Sequence, residues 1–305
     1  KVIVVIGPTS VGKTKMGVAL AKKFNGEVIS GDSMQIYKQM DIGTAKVTEE
    51  EKEGIIHHCV DILNSDETYS VHDFQQTVRK KITEITQRGH VPIIVGGTGL
   101  YIKAALYDYQ FDEMENDHHA INEKYKDYTN EQLHDHLKSI DEESAKTLHF
   151  NNRRRVLRAI EIYETTGKRK SEMLEEQEHI CLYDAYFVGL TLPRDVLYER
   201  INKRVDVMME NGLKEEMERL YSQGLTRNHQ SMKAIGYKEW FDYYDHQIDL
   251  NDVLELIKKH SRQYAKRQYT WFKNQFDVHW YDVNLENFEQ TIEQVTDDIE
   301  KILKV

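Results

Sequence analysis

Residues 2–14 carry the clearest structural signal in the chain, and they read VIVVIGPTSVGKT. The apolar run Val2–Ile6 predicts a buried strand, and residues 13–24 predict a helix. Between them, Gly7–Thr14 matches the phosphate-binding pattern G-x4-G-K-[ST] in the strand-to-helix context that this pattern requires. Such a turn points backbone N–H groups at an anion, beside the positive N-terminus of the helix. The sequence therefore predicts a phosphate-binding loop, without identifying the molecule that carries the phosphates.

The loop also predicts which metal the protein uses. Lys13 supplies a positive charge to terminal phosphate oxygens, and the Thr14 hydroxyl suits a Mg2+ ligand, so magnesium is the expected cofactor. His57-His58-Cys59 and His118-His119 lack a second cluster at zinc-site spacing, so no zinc is expected. We expect the phosphate chain to be held by Gly7, Pro8, Thr9, Ser10, Val11, Gly12, Lys13 and Thr14.

Strand and helix patterns alternate after the loop. Glu27–Ser30 and Val91–Val95 predict strands, and residues 71–88 predict a helix between them. This alternation indicates an α/β fold with a parallel, P-loop NTPase-like sheet flanked by helices. From about Asp112 the chain becomes polar and shows only helical periodicity, until Ala185–Leu192 predicts another strand. Later helices are expected at 194–211, 213–223, 236–244, 251–275 and 286–303. The expected organisation is an α/β core over 1–113, a helical insertion domain over 114–183, and a segment over 184–305 that completes the core.

Composition excludes several classes of protein. The chain has 305 residues, 39% of them hydrophobic, and no run near the roughly 18 apolar residues of a membrane helix, so we expect a folded protein without a membrane span. A net charge of −11 excludes a basic surface over the whole protein, but not a local basic groove. Cys59 and Cys181 are too few for a disulfide framework, which favours the cytoplasm. The chain begins at Lys1, so we expect a short native start ahead of it, and the apolar run that follows predicts a core strand rather than a signal peptide.

Two further strand ends carry candidate site residues. Asp32 follows the second predicted strand, at the edge of a parallel sheet where ligands bind, so it is expected near the phosphate loop. There it would bind Mg2+ through water or accept a proton, although a turn or helix cap is the alternative explanation. Gly96-Gly97-Thr98-Gly99 follows the third strand. Its glycines suit either the close approach of an extended ligand or a loop with positive φ.

Basic residues form three candidate anion sites. Residues 153–158 contain four arginines, of which Arg154 and Arg158 lie one helical turn apart on the same face. Guanidinium groups this close together repel one another, so they need bound anions or acidic neighbours. Arg200 and Arg204 repeat this spacing, where one of them would clamp a diphosphate, or both would pair with Glu199 or Asp206 on the surface. A basic stripe with a tyrosine in it suits a nucleic-acid backbone, although a solvated face is the simpler explanation. The stripe consists of Lys259, Arg262, Lys266, Tyr269 and Lys273.

Together these motifs resemble the bacterial tRNA dimethylallyltransferase family over nearly the whole chain. Lys233 and Lys238 stand where some members of the family have arginine, which keeps the charge but loses bidentate geometry. The zinc-finger extension of the eukaryotic members is absent from this sequence. The resemblance is carried by Gly7–Thr14, Asp32–Tyr37, Asp41–Lys46, Gly96–Tyr101, Arg154–Glu161, Ala234–Glu239, Arg262–Gln268 and Trp271-Phe272.

The resemblance implies transfer of a dimethylallyl group from dimethylallyl diphosphate to N6 of the adenosine 3′-adjacent to the anticodon of tRNA, with release of diphosphate. It implies Lys13, Thr14 and Arg204 on the diphosphate, Mg2+ on Thr14, and Asp32 as general base. The insertion and the basic stripe would hold the anticodon stem-loop of tRNA, and the protein is expected to be a monomer. The residues expected to contact tRNA are Asp32, Ser33, Met34, Gln35, Thr98, Arg154, Arg155, Val156, Leu157, Arg158, Lys233, Ala234, Ile235, Gly236, Tyr237 and Lys238.

Two other functions are compatible with parts of the sequence. A P-loop kinase for a small molecule or nucleoside would use the same loop, Mg2+ and arginine pair. The absence of a second metal-binding Asp and the presence of the basic stripe argue against it. A non-catalytic RNA-binding protein would keep the loop for structure alone, and would bind tRNA without forming a product.

Overall fold

The computed structural model describes residues 1–109, 118–176 and 179–303. The chain forms two compact units: unit 1 consists of Lys1–Tyr107 with Cys181–Val305, and unit 2 of Asp108–Ile180. The predicted boundary at 113/114 lies outside the described residues, and unit 2 ends at Ile180, ahead of the boundary predicted at 183.

Unit 1 is built on a six-stranded sheet in which every neighbouring pair of strands is parallel, so the predicted P-loop-like α/β fold is confirmed. The order across the sheet is β3-β2-β4-β1-β5-β6. Two edge strands, β3 and β6, were not predicted, because strands this short show no clear alternation. The strands are β1 Val2–Ile6, β2 Gly26–Ser30, β3 His57–His58, β4 Val91–Gly96, β5 Ala185–Thr191 and β6 His279–Asp282.

Helices cover both faces of this sheet. Along β1, Val2, Val4 and Ile6 belong to one hydrophobic cluster, whereas Ile3 and Val5 belong to another. All five side chains are fully buried, and each contributes about 1.5–3 kcal/mol of transfer free energy. The helices of unit 1 are α1 Lys13–Lys23, α2 Glu49–Lys52, α3 Val71–Gln87, α4 Gly99–Leu106, α10 Arg194–Glu210, α11 Leu213–Ser222, α12 Trp240–Tyr244, α13 Leu250–Gln275 and α14 Phe288–Leu303.

The helix predicted over 236–244 is shorter than expected. Ser231–Lys233 forms a single 3-10 turn, and α12 begins only at Trp240. Gly236 has a φ of +97°, which lies in the left-handed region and ends any continuous helix at that point. Residues 234–239, between the 3-10 turn and α12, therefore form a loop.

Unit 2 contains helices and no strand among its described residues. Its small core joins α6 to α8 through Leu133, Leu137, Val156 and Ile160. Within the described ranges, no helix of either unit is both long and apolar enough to cross a membrane. The helices of unit 2 are α5 His118–Lys124, α6 Asn130–Ile140, α7 Glu142–Thr147, α8 Arg153–Thr166 and α9 Lys170–Glu175.

Candidate active site

The phosphate loop joins the end of β1 to the start of α1. Gly12 caps α1 in the left-handed region, with a φ of +107°. A side chain there would also meet the ring of Phe288 at 2.8 Å, so both backbone geometry and space require glycine. The Lys13 ammonium donates a hydrogen bond to the Pro8 carbonyl at 2.8 Å, which holds it inside the curve of the loop.

Both candidate arginines of α10 contact this loop. Ser10 has a φ of +68°, a strained conformation for a residue other than glycine. Arg200 donates from Nε to the Ser10 carbonyl at 3.1 Å, and Arg204 donates to the hydroxyls of Thr9 and Ser10, each at 3.3 Å. Asp206, one of the alternative partners, instead pairs with Lys258 at 2.7 Å. The arginine pair therefore supports the loop, and Arg204 is the more enclosed member because Arg200 is exposed.

The charges around Lys13 favour an anion in this loop. Burial of the ammonium lowers the pKa of Lys13 from 10.5 to about 7, and the positive charge of Arg204 acts in the same direction. The negative charge of Asp32 opposes both effects only in part. Two cations thus face each other across a confined space, and a diphosphate would relieve their repulsion.

Asp32 lines both cavities of the site, and one of its carboxylate oxygens is engaged in its own turn. Its Oδ1 accepts hydrogen bonds from the backbone N–H groups of Met34 at 2.7 Å and Gln35 at 3.2 Å. No described residue donates a hydrogen bond to Oδ2. The cap suggested by the sequence is therefore present, and it leaves the second oxygen available to a substrate.

Two cavities meet at this carboxylate. The first, of about 690 Å³, contains the phosphate loop, and the second, of about 340 Å³, is lined by Ser33, Met34 and most of the segment 233–238. Because the two share lining residues, they are adjacent. The residues that line both cavities are Thr9, Ser10, Asp32, Thr44, Ala45, Arg204 and Tyr264.

The glycines at the end of β4 and up to the start of α4 allow close packing within the protein. A Cβ on Gly96 would collide with the backbone of Gly31, one on Gly97 with Gln268, and one on Gly99 with the ring of Trp271. None of these three glycines has a positive φ, so the alternative of a positive-φ loop was wrong. Thr98 accepts a hydrogen bond from the backbone N–H of Ser33 at 3.1 Å, which ties this loop to the Asp32 turn.

The segment Lys233–Lys238 is divided between the second cavity and the core. Lys233, Ala234, Ile235, Gly236 and Lys238 line the cavity, whereas the Tyr237 side chain is fully buried. The Tyr237 hydroxyl donates to the carboxylate of Glu216 at 2.5 Å. The same carboxylate accepts the successive backbone N–H groups of Asp41–Gly43, at 2.9 to 3.2 Å. Glu216 therefore fixes two stretches of backbone that border the second cavity.

The arginines predicted to contact tRNA lie on α8 of unit 2. Arg154 and Arg155 are exposed, and Arg158 pairs with Glu161 at 2.7 Å. Val156 and Leu157, which were predicted alongside them, are buried in the core of unit 2 at 0% and 4% exposure. Val156 and Leu157 therefore pack α8 against the core of unit 2. Of the predicted group, only Arg154 and Arg155 are exposed to solvent.

Part of the basic stripe on α13 is used within the protein. Arg262 donates to the Asn202 side chain at 2.6 Å, and the Tyr269 hydroxyl bonds to the Thr191 hydroxyl at 2.7 Å. Lys259 and Lys266 are exposed. Lys273, the fifth member, is exposed as well, so two residues of the stripe make contacts within the protein and three face solvent.

The donor chemistry of the first cavity fits Mg2+. The Thr14 hydroxyl lines this cavity beside Lys13. Among the described residues, no group of three or more His, Cys, Asp or Glu side chains is placed to hold a metal ion. Magnesium commonly keeps several waters and binds through one or two protein oxygens together with substrate phosphates. A single hydroxyl within a phosphate-binding loop would meet that requirement.

Glu216 and Gln268 were missed by the sequence analysis as site residues. Each is a polar residue at a buried position of an amphipathic helix: Glu216 is flanked by the buried Leu213 and Leu220, and Gln268 by the buried Ala265. A polar side chain within an apolar stripe is the signal that could have singled them out, because buried polar groups require partners.

The fold and this loop define a P-loop protein of one known family. Residues 35–275 match the family model described as IPP transferase, and the chain belongs to that family. This confirms the predicted membership of the tRNA dimethylallyltransferase family and the predicted enzyme class, a transferase.

Curated relatives extend over almost the whole chain. A tRNA dimethylallyltransferase of Bacillus cereus (strain AH187) is 54% identical over 286 residues, which cover 93% of this chain and 90% of that protein. A tRNA dimethylallyltransferase of Bacillus anthracis is also 54% identical, with 93% and 91% covered.

Solved structures agree with this assignment. The full-length tRNA isopentenylpyrophosphate transferase of Bacillus halodurans is 44% identical, with a TM-score of 0.74 and coverage of 100% of this chain and 98% of that one. A eukaryotic dimethylallyltransferase acting on tRNA is 33% identical, with a TM-score of 0.86 and coverage of 98% and 78%.

Proposed function

We propose that this protein transfers a dimethylallyl group from dimethylallyl diphosphate to N6 of the adenosine 3′-adjacent to the anticodon of tRNA, and releases diphosphate. The observation that carries this proposal is that Asp32 lines two cavities, one lined by the phosphate loop with Lys13 and Thr14 and one that reaches only Thr9 and Ser10 of that loop. A single cavity would suit a protein that only binds a phosphate compound. Two cavities with a shared carboxylate suit a reaction between two substrates.

The diphosphate would lie in the first cavity. Backbone N–H groups of the loop, Lys13 and Arg204 surround the space in which its oxygens would sit. As the bond between the allylic carbon and oxygen breaks, negative charge accumulates on the diphosphate, and these groups would stabilise it. Mg2+ held at Thr14 would supply further charge neutralisation on the phosphate oxygens.

The adenine would enter the second cavity. A base stacked in an RNA strand is out of reach of an enclosed site, so it must leave its stack. Met34, Ile235 and Lys233 line the cavity, which offers apolar surface for a base and positive charge for its phosphates. The walls from 233–238 and from 43–45 are held in place by Glu216 and Gln35.

Asp32 would act on the nucleophile. Its free Oδ2 accepts the hydrogen bond of the N6 amino group, and takes one of its protons as the new bond from N6 to the allylic carbon forms. Its engaged Oδ1 keeps the carboxylate from rotating, because two backbone N–H groups hold that oxygen. The products are an N6-substituted adenosine and free diphosphate, and the proton remains on Asp32 until solvent removes it.

Nucleoside mass spectrometry tests this proposal directly. Unmodified tRNA would be incubated with the full chain, Mg2+ and dimethylallyl diphosphate, then digested and compared with a reaction that lacks the diphosphate. An adenosine heavier by one five-carbon unit is the expected product. A protein that forms no such product and instead consumes ATP with a small acceptor would be a kinase.

The partners and location of the protein belong to the same proposal. We infer a monomer that binds the tRNA anticodon stem-loop through the exposed arginines of α8 and acts in the cytoplasm. The exposed Arg154 and Arg155 support RNA contact by unit 2, since solvated guanidinium groups bind phosphates readily.

A further inference from the structure

One face of α13 packs against the loop that follows β4. Tyr264, Gln268 and Trp271 lie four and three residues apart, so they project from the same side of the helix. The space for Gln268 and Trp271 exists only because Gly97 and Gly99 have no side chains. This approach brings a helix from the C-terminal half of the chain to the edge of the active site.

Gln268 uses both ends of its side-chain amide at this contact. Its Oε1 accepts a hydrogen bond from the backbone N–H of Thr9 at 3.0 Å, and its Nε2 donates to the carbonyl of Gly97 at 3.1 Å. The Tyr264 hydroxyl donates to the same carbonyl at 3.2 Å. Gln268 is only 5% exposed, so water does not compete effectively for these bonds.

The two partners of Gln268 belong to two different loops, and both line the first cavity. Thr9 is part of the phosphate loop, and its hydroxyl receives a hydrogen bond from Arg204. Gly97 precedes Thr98, whose hydroxyl holds the turn that carries Asp32. The side-chain amide of Gln268 thus links the phosphate loop to the loop that holds the Asp32 turn.

We propose that Gln268 is a positioning residue that sets the separation between the diphosphate and the nucleophile. This inference rests on the proposed function for the identity of the two substrates. Bond formation requires reacting atoms held about 3–3.5 Å apart, and a displacement of about 1 Å costs roughly a hundredfold in rate. Gln268 also lines the first cavity, and by linking the two loops it would fix this distance through the backbone of each.

The test separates positioning from ordinary core packing by comparing two buried glutamines. Gln268→Met removes both hydrogen bonds and keeps the length of the side chain. Gln75→Met is the matched control, because Gln75 is also buried, at 3%, and donates to the Ala104 carbonyl at 2.7 Å, but lines neither cavity. Both variants should lose thermal stability, and both are assayed well below their unfolding temperatures.

We expect Gln268→Met to lower kcat for dimethylallyl transfer by about 10- to 100-fold. It should also weaken the affinity for inorganic diphosphate, measured by calorimetry with Mg2+, and leave the affinity for tRNA unchanged. Gln75→Met should leave all three quantities unchanged. If Gln268→Met behaves like Gln75→Met, Gln268 only packs the core and the proposal is wrong.

Amide hydrogen exchange provides a second test, which needs no variant and does not depend on the assay of dimethylallyl transfer. In the substrate-free wild-type protein, the Thr9 amide hydrogen should exchange as slowly as the amides of α13, because Gln268 accepts it. Exchange at the rate of an open loop would overturn the proposal. If the wild-type protein forms no dimethylallyl adenosine, the proposed function fails, whereas Thr9 exchange and diphosphate binding still decide whether Gln268 holds the loop.

Discussion

The Tyr237 hydroxyl donates a 2.5 Å hydrogen bond to Glu216, a carboxylate that is 1% exposed. Glu216 also accepts the backbone N–H groups of Asp41, Ile42 and Gly43, so it joins two parts of the chain that are distant in sequence. Both parts contribute walls to the second cavity. The shape of that cavity therefore depends on a side chain that does not line it.

Glu216→Gln should weaken tRNA binding more than diphosphate binding. Glutamine replaces one acceptor oxygen of Glu216 by an amide N–H donor, which would face a backbone N–H. Losing a hydrogen bond to a charged group costs about 1.5–3 kcal/mol of stability. Tyr237→Phe should have the same pattern with a smaller effect, because the backbone bonds remain. Filter binding of tRNA and calorimetry with diphosphate measure the two affinities. Tyr221→Phe, on an exposed tyrosine of α11, is the control, and an equal loss of both affinities in Glu216→Gln would contradict this role.

Asp32→Asn should abolish most of the transfer while both substrates still bind. The asparagine Oδ1 still accepts the N–H groups of Met34 and Gln35, so the turn is kept, but the proton acceptor at the second position is lost. Loss of a general base lowers kcat by about 10²- to 10⁴-fold. Single-turnover rates at saturating substrates measure it, with tRNA and diphosphate affinities as controls. Full activity in Asp32→Asn would remove this carboxylate as the base.

Arg204→Met should damage the reaction far more than Arg200→Met. Arg204 is the more enclosed arginine and bonds to two side chains of the phosphate loop, whereas Arg200 is exposed and bonds to one carbonyl. Removal of an enclosed charge-stabilising donor costs about 10²- to 10³-fold in kcat. We expect a small effect for Arg200→Met. The ratio of kcat/KM for dimethylallyl diphosphate in the two variants decides the matter, and equal losses would show that neither arginine dominates.

Lys13→Met should make the substrate-free protein more stable below neutral pH. The pKa of Lys13 is about 7 in the folded protein against an ordinary value of 10.5, so between these values the unfolded chain holds a proton that the folded protein lacks. Wild-type stability should therefore rise with pH across that window, and the penalty of charging Lys13 in the fold is complete below pH 7.

Thermal unfolding at pH 6 and pH 9 tests this sign. The gain in Tm from Lys13→Met should be larger at pH 6 than at pH 9 when no ligand is present. Added diphosphate should raise the Tm of the wild-type protein and not that of Lys13→Met, because only the ammonium-bearing loop binds it tightly. A larger gain at pH 9 than at pH 6 would show that the pKa of Lys13 is not lowered.

Short sequence motifs predicted those parts of the site that consecutive residues form. The phosphate loop and the Asp32 turn each depend on a few consecutive residues at a strand end, so spacing alone places them. The contact of Gln268 with Thr9 joins residues 259 positions apart, and no periodicity reports which loop a helix face will meet. The same holds for Phe288 against Gly12. Strand β3 has two residues and gives no period to detect.

The two ends of unit 1 between which the chain of unit 2 runs are paired with each other. Tyr107 and Cys181 form an antiparallel bridge, and the Leu182 N–H donates to the Leu106 carbonyl at 2.8 Å. Every described wall residue of both cavities belongs to unit 1. Because Tyr107 and Cys181 are already side by side within unit 1, a short turn between them would close the chain at little entropic cost. Residues of unit 2 can therefore be exchanged or redesigned without changing any residue that lines the two cavities beside Asp32.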